Sequence, residues 1–575
     1  MGLPIVRRNI EYSPLSNELH PVLDRIYRGR QIASINELDH RVSGLHHYRE
    51  LKGIDEAASL LVAAIQTNKR IIIVGDFDAD GATSTAVCIL SLRQMGHSNI
   101  DYLVPNRFDF GYGLSEGIVD VAHSQGAELL LTVDNGIACL AGVSRAKSLG
   151  MQVIVTDHHL PGNELPLADA IVNPNQKECT FPSKNLAGVG VAFYLMLACR
   201  AQLQEKQWFS SHNLPVPNLA TLLDIVAVGT VADVVVLDKN NRVLVHQGLQ
   251  RIRSGKCRPG IRALVEVARR EISHLSAADL GFVVGPRLNA AGRLEDMALG
   301  IECLLCEDDT QARHMAAELD GLNQQRRAIE ESMKAEAEMV LQSVVLGEAT
   351  MPSALVVYKE DFHQGVIGIV AGRIKEKYRR PTIAFAHQDE QIIKGSARSV
   401  PGLHIRDVLD EVNRLYPGII IKFGGHAMAA GLSLPAIKLK EFEVAFQTIT
   451  DRYMAKAGEL FTIVSDGELA DNELDLSLAK TLRQAGPFGQ GFEPPLFDGI
   501  FELVSQKLLQ EKHLKVVFRL PSGNEVDAIA FNVDNKIWPN IAAKWVQVAY
   551  RLDVNVFRGK ETVQLMIEEL SVYEG

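Results

Sequence analysis

A chain of 575 residues is too long for one hydrophobic core, and its size implies roughly three or four domains. Hydrophobic content of 47% and charged content of 22% are ordinary for a soluble globular protein, and seven scattered cysteines argue against a disulfide scaffold and fit a reducing compartment. A net charge of −11 excludes a protein that binds nucleic acid over its whole surface, so any nucleic-acid path must be a local basic groove.

The first residues, MGLPIVRRNIEY, lack the apolar core of a signal peptide, and Val6 breaks the myristoylation pattern. The most apolar stretch, LATLLDIVAVGTVADVVVL, carries Asp224 and Asp233. It reads as a buried helix and turn rather than a membrane span. The expectation is a cytoplasmic protein without membrane association.

Residues 71 to 175 alternate between strand and helix patterns. IIIVG (Ile71 to Gly75) is followed by a helix pattern from Thr83 to Met95. Strand IDYLVP (Ile100 to Pro105), a helix from Ser115 to Ser124 and strand LLLTV (Leu129 to Val133) come next. A helix from Ala138 to Leu149 precedes strands MQVIVT (Met151 to Thr156) and AIVN (Ala170 to Asn173). This order predicts a mostly parallel sheet with helices on both faces. Asp308 to Val344 reads as one long helix, polar on most faces, which suits a bridge between domains. A second α/β unit starts near Ser353, with strand ALVVY, a helix from Val366 to Tyr378, strand PTIAFA and the glycine-rich segment KFGGHAMAAG. From about Phe461 the short alternating segments HLKVVFRL, EVDAIAF, WVQVAYRLDVNVF and ETVQLMIEEL predict a small all-β domain of barrel type.

Three acidic motifs follow three of these strands directly: DFDADG (Asp76 to Gly81), DNG (Asp134 to Gly136) and DHH (Asp157 to His159). In a parallel sheet they converge at the carboxyl edge, where open α/β folds bind ligands. Asp78 and Asp80 reach neighbouring positions, Asp134 supplies a carboxylate able to bridge two cations, and His158 supplies an imidazole. Two divalent ions held there lower the pKa of water between them and clamp phosphate oxygens. A mixed imidazole and carboxylate set suits Mn²⁺ and tolerates Mg²⁺. Asp157 is placed to orient the adjacent histidines.

Taken singly these motifs are weak. DFDADG can be a turn with solvated carboxylates, and DNG is an ordinary tight turn. A second histidine pair, His46-His47, has no strand or acidic neighbour and reads as structural. The convergence of all three motifs is what points to a metal site. In DIVAVGTVADVV, Asp233 follows a Gly-Thr turn and is preferred over Asp224 for closing the metal shell. Cys303 and Cys306 form a lone CxxC in an apolar helical run and read as a buried face. Arg107, the GPRLNAAGRL stretch with Arg287, Asn289 and Arg293, KGSARS with Lys394, Ser396, Arg398 and Ser399, and FGGHAMAAG with His426 set cations beside small residues, as phosphate contacts do.

DFDADG, DNG and DHH in this order resemble the DHH phosphoesterase superfamily. FGGHAMAAG after KGSARS is similar to its DHH-associated domain. With GPRLNAAGRL, the long helix and a β-domain after GPFGQGFEPPLF, nearly the whole chain resembles the RecJ family of bacterial single-strand-specific 5′→3′ DNA exonucleases.

The resemblance implies an N-terminal arm (1–45), a DHH catalytic domain (46–305), a bridging helix (306–345), a DHH-associated domain (346–460) and an OB-like domain (461–575). It implies two ions, Mn²⁺ or Mg²⁺, held by Asp76, Asp78, Asp80, Asp134, His158 and Asp233. It gives catalytic roles to Asp134, Asp157 and His159, with His159 on the scissile phosphate. It assigns the DNA strand to Arg107, Arg287, Asn289, Arg373, Ser396, Arg398, Gly424, Gly425 and His426.

The implied reaction is metal-dependent hydrolysis of single-stranded DNA from a 5′ end, releasing 5′-mononucleotides, in recombination and mismatch repair. A strand threading between the two α/β lobes would account for single-strand selectivity. A single-strand-binding protein and a RecQ-type helicase are the implied partners, and a monomer is expected. The alternative within the superfamily is an oligoribonuclease or cyclic-dinucleotide phosphodiesterase; relatives of that kind typically lack the added β-domain.

Two positions depart from the family pattern: Phe492, where Asn is common, and Val236, where Pro is common. Stacking residues in the β-domain are not fixed by sequence. Phe518, Phe531 and Phe557 are candidates, with a core position the favoured reading of each.

Overall fold

The computed structural model describes residues 3–10, 14–105, 113–347, 352–454 and 462–574. The chain forms two compact units. One holds Arg7–Asn323 and Val464–Gly575, the other Leu3–Val6 and Gln324–Ile463.

The first unit is built on five parallel strands in the spatial order Ile100–Leu103, Ile71–Val74, Leu129–Val133, Gln152–Thr156 and Ala170–Val172. Their β-branched and leucine side chains alternate between two apolar layers. Ile72, Val74, Leu130, Val153 and Val155 pack with Ile118, Val119 and Val143 on one face. Ile71, Ile73, Leu129, Leu131 and Ile154 pack with Leu61, Ala86, Ile89 and Val191 on the other. Each fully buried aliphatic side chain contributes about 1.5–3 kcal/mol, and both faces of the sheet are covered in this way. The α/β expectation holds here.

Helix boundaries differ from the sequence reading at one important place. The helix after DFDADG is Ala79–Gln94 and begins inside the motif. Asp78 is its N-cap, accepting from the backbone N–H groups of Asp80 (2.9 Å) and Gly81 (3.1 Å) through Oδ1. The motif is therefore a helix start rather than a free turn.

The stretch around Asp224 and Asp233 also differs. Gly229 and Thr230 do not form a turn but lie inside the buried helix Leu223–Ala232. Gly229 is needed for close packing, since a Cβ there would lie 2.1 Å from Thr83 Oγ1.

In this unit the last strands form the expected closed barrel, ordered Phe497–Leu509, His513–Arg519, Glu525–Ala530, Lys560–Val572 and Trp545–Phe557. Phe518 fills the interior against Phe501. Phe531 and Phe557 do not share that position: they are 51% and 65% exposed. The N-terminal arm packs against the entry to the barrel. Arg30 is buried and bonds both oxygens of Asp466, at 2.6 and 2.9 Å.

The second unit has a mixed five-stranded sheet in the order Lys422–Gly425, Ala429–Pro435, Ile392–Arg398, Thr382–His387 and Leu355–Tyr358. Here the sequence reading missed regular structure. The KFGGHAMAAG segment is two antiparallel strands joined at His426 to Met428, and KGSAR is a strand beside them. Their glycines hide the alternating pattern. The long polar helix, Asp309–Gly347, includes the boundary between the units. Among the described residues no helix is long and apolar enough to cross a membrane.

Candidate metal centre

The centre stands at the carboxyl edge of the parallel sheet. Asp134 follows its strand directly and adopts a left-handed backbone, φ 60°, a region that Asp tolerates. Asn135 fixes this turn, because its Nδ2 donates to Val74 O (3.0 Å) and Val133 O (2.9 Å) and so ties two strand ends together. Gly136, at φ 115°, leaves no room for a side chain: a Cβ would meet Thr132 Oγ1 at 2.5 Å.

Ligand-type atoms of Asp76, Asp78 and Asp134 lie within 4.8 Å of one another, as do those of Asp80, His158 and Asp233 and those of Asp134, His158 and His159. His158 Nε2 is 3.1 Å from Asp134 Oδ1, 3.4 Å from Asp233 Oδ2 and 3.9 Å from Asp80 Oδ2. Asp134 and His158 each belong to two of these groups. Asp224 lies elsewhere, accepting from the N–H groups of Ile225 and Arg258.

The electrostatics favour a cation. Burial raises the pKa of Asp134 well above the ordinary carboxylate range, and the charges of Asp80, Asp78, Asp233 and Asp76 raise it further. Asp233 and Asp80 are raised for the same two reasons. Burial, with the neighbouring His159, brings the His158 pKa down to about 4, so its imidazole is neutral and able to ligate. The buried atoms His158 Nε2 and Asp233 Oδ2 make no hydrogen bond among the described residues. Crowded, buried carboxylates with a neutral imidazole are costly unless positive charge enters, so the donor set fits divalent cations.

Asp157 does a different job. Its Oδ1 accepts from the N–H groups of His158 (2.7 Å) and His159 (3.0 Å), and its Oδ2 accepts from Ile137 N (2.9 Å). Oδ1 also pairs with His159 Nδ1 at 2.8 Å. Burial alone would raise the Asp157 pKa, but the hydrogen bond and charge of His159 bring it below the usual value. The same pair carries His159 upward against its own burial.

Two contributors were not found from sequence. Gly188 N and Val189 N, at the start of the helix Gly188–Glu205, donate to the Asp80 carboxylate at 2.6 and 2.9 Å. A helix N-terminus thus holds that carboxylate. Gly188 must be glycine here, since a Cβ would lie 2.6 Å from Asp134 Cβ. The small residues of LAGVG before an apolar helix were the available signal.

The residues read as phosphate contacts fall in different settings. Asn289 Oδ1 accepts from Ala79 N at 2.8 Å and so braces the start of the DFDADG helix. Arg287 is buried and paired with Asp320 at 2.7 Å. Arg107 lies outside the described residues.

In the second unit, Arg373 is engaged by Glu330 and Glu376. Arg398 Nη1 donates to Ser396 Oγ at 3.1 Å on a strand whose neighbour pairs Gly424 with Gly431 and Gly425 with Ala430. His426 N donates to Ala429 O at 2.8 Å in the same hairpin. A Cβ on Gly368, in the first turn of helix Ile367–Tyr378, would be 2.8 Å from Arg398 Nη2. Ser396, Arg398, the glycine hairpin and a helix start therefore form one cluster within that unit.

The two positions that depart from the family pattern are close together. Val236 would meet a Cβ on Gly491, the residue before Phe492, at 2.7 Å. Cys303 is buried on the helix Ala298–Leu305, as expected, but Cys306 follows the end of that helix and is only partly buried, so the two do not share a buried helical face.

Comparison with known proteins gives the following. The family model for the N-terminal domain of the DHH family matches residues 70–230, that for the DHHA1 domain matches 352–452, and that for the RecJ OB domain matches 465–569. The chain is 53% identical over 566 residues to the single-stranded-DNA-specific exonuclease RecJ of Escherichia coli K12, covering 98% of each. It superposes on the crystal structure of RecJ from Thermus thermophilus in complex with Mn²⁺ with a TM-score of 0.80 at 29% identity, covering 97% of this chain and 77% of that one. The complex of the same protein with Mg²⁺ gives a TM-score of 0.73 at 28% identity, covering 97% and 76%.

Proposed function

The chain belongs to the RecJ family of single-stranded-DNA-specific exonucleases, and from that premise we propose that it hydrolyses single-stranded DNA from the 5′ end to 5′-mononucleotides. The observation that carries this reading is the pair of ligand groups, Asp76–Asp78–Asp134 and Asp80–His158–Asp233, joined by the 3.1 Å approach of His158 to Asp134 at one sheet edge. These residues would hold two divalent cations, Mn²⁺ or Mg²⁺. Such ions, when bound, supply Lewis acidity toward the phosphate and lower the pKa of water.

The remaining work belongs to side chains. Asp157 anchors His159 Nδ1, which fixes the ring and leaves Nε2 for a phosphate oxygen. Pairing with Asp157 raises the His159 pKa above its ordinary value, which favours the form whose Nε2–H donates to the charge that builds on that oxygen. Ser396, Arg398, Gly424, Gly425 and His426 are assigned to the DNA backbone, as are Arg107 and Asn289. Arg287 and Arg373 are engaged in ion pairs, and their assignment rests on the resemblance alone. The barrel is assigned to grip the strand by charge and stacking. Its surface, with exposed Phe531 and Phe557, supports DNA over a dinucleotide as substrate.

The decisive experiment is a nuclease assay with Mn²⁺ on a long 5′-ended strand, comparing wild type with Asp134→Ala. Unchanged activity in the variant would refute the metal reading. A blocked 5′ end should stop digestion, and equal digestion from a free 3′ end would refute the polarity. Faster cleavage of a dinucleotide than of the long strand would favour the oligonucleotide-phosphodiesterase alternative. Action in recombination and mismatch repair, in the cytoplasm, beside a single-strand-binding protein and a RecQ-type helicase, is the setting that family membership supports. Co-purification with either protein tests the partners.

A further inference from the structure

The short segment Asp233–Asp238 connects the candidate ligand Asp233 to the next helix, Lys239–Arg253, and its backbone is strained. Val234 has φ 62°, a left-handed conformation that a β-branched residue almost never adopts. Something must therefore hold the segment. Much of what holds it comes from the loop that leads into the barrel. Leu237 N donates to Gln490 O at 2.8 Å. A Cβ on Gly491 would meet Val236 Cγ1 at 2.7 Å, and one on Gly489 would meet Leu237 Cδ1 at 2.7 Å, so both glycines are in direct contact with the segment.

Side chains complete the clamp. Asn241 Nδ2 donates to Val236 O at 2.9 Å, and Arg242 Nη1 donates to Leu237 O at 3.0 Å. The Arg242 guanidinium lies over the Phe492 ring, 4.4 Å from its centroid. Phe492 stacks in turn on Phe488 (5.6 Å) and Tyr27 (6.4 Å).

We propose that the loop Gly489–Phe492 is a positioning element of the metal centre. It locks the strained segment after Asp233, and through it fixes where the Asp233 carboxylate stands beside His158 and Asp80. Gly491 and Val236 are then positioning residues for cation binding, although neither touches the centre. This rests on the reading of Asp233 as a metal ligand. Supports of this kind typically change metal affinity by roughly 10–100-fold when altered.

The test is Mn²⁺ titration of the full chain by calorimetry, with melting temperature in chelator measured in parallel. Gly491→Ala should weaken Mn²⁺ binding roughly tenfold or more. Gly491 has φ 68°, so Ala also strains the backbone there; Val236→Ala, combined with it, removes the methyl that the new Cβ meets and should restore part of the affinity. Val234→Gly relieves the backbone strain, so its melting temperature in chelator should not fall, yet Mn²⁺ binding should weaken because the lock is looser. That combination separates positioning from a folding defect, and it decides the matter if Gly491→Ala fails to fold. Wild-type Mn²⁺ affinity in both Gly491→Ala and Val234→Gly would overturn the proposal. Wild-type affinity in Asp233→Asn would instead overturn the ligand reading beneath it. Loss in Asp233→Asn with none in the other two assigns the failure to the positioning role alone.

Discussion

Replacing the Asp134 carboxylate by an amide acts on folding and on catalysis in opposite directions. Its charge is buried among those of Asp80, Asp78, Asp233 and Asp76, which is why its pKa is driven up. With no cation bound that charge is a cost, of order 1–3 kcal/mol at neutral pH. Asp134→Asn should therefore raise the melting temperature in chelator while lowering kcat with Mn²⁺ by roughly 10³-fold or more, the scale of losing a key electrostatic contact. Parallel calorimetry and nuclease assays check both signs, and a lower melting temperature in chelator would contradict the repulsion argument. Asp134 was legible because it ends an apolar strand, and the strand pattern supplies its position. The Gly188 and Val189 donors to Asp80 were not, because the partners are 108 and 109 residues apart and a backbone N–H leaves no mark in a sequence.

The helix Gly188–Glu205 brings its first turn against Asp134 and Asp80, so Gly188→Ala should force a shift of the backbone. The expected cost is about 1–3 kcal/mol, with weaker Mn²⁺ binding. Denaturant melts and Mn²⁺ titration of that variant test it.

The N-terminal arm makes a different prediction. His40 stacks on His246 of the helix Lys239–Arg253, with ring centroids 4.6 Å apart. Burial, then the charges of His246 and Arg242, bring its pKa from 6.5 down to about 4. The folded state thus binds fewer protons than the unfolded chain. The contribution is whole above pH 6.5 and is lost as pH falls through 4. His40 is half-buried, so solvent screening leaves ~1–2 kcal/mol. Stability should fall over that window in the wild type and less steeply in His40→Gln, as denaturant melts at stepped pH will show. The element order was legible from apolar periodicity. The start of the helix at Ala79 was not, since Asp78, a capping residue, also reads as a turn residue, and the glycine hairpin around His426 lacked the alternation that marks a strand.

At the scale of the molecule, the barrel is sewn to the front of the chain. Arg30, buried, bonds Asp466 twice and also donates to the carbonyls of Ile26, Glu493 and Pro494. Among the described residues, Arg30→Ala leaves the buried Asp466 carboxylate only Arg8 at 3.4 Å and the Leu496 N–H at 3.0 Å, and should cost up to about 3–5 kcal/mol, whereas replacing both partners with apolar residues should cost far less. A double-mutant cycle reads the difference. Cations act on the whole fold by mass action. Mn²⁺ at 100 times its dissociation constant should add about 2.7 kcal/mol, visible as a higher melting temperature that chelator reverses. The single-strand preference of the family was legible only through the resemblance. Long-range ties such as Arg30 to Asp466, 436 residues apart, leave no periodicity to read.

The hydrogen bond from Leu237 to Gln490 also has a consequence for biosynthesis. A ribosome adds about 5–20 residues per second, so tens of seconds separate the emergence of these two residues. During that interval the nascent chain carries every acidic motif of the centre, but the segment after Asp233 lacks the part of its clamp that the loop Gly489–Phe492 supplies. On the proposal that this loop positions Asp233, a translation product that ends before Gly489 should bind Mn²⁺ more weakly than the full chain.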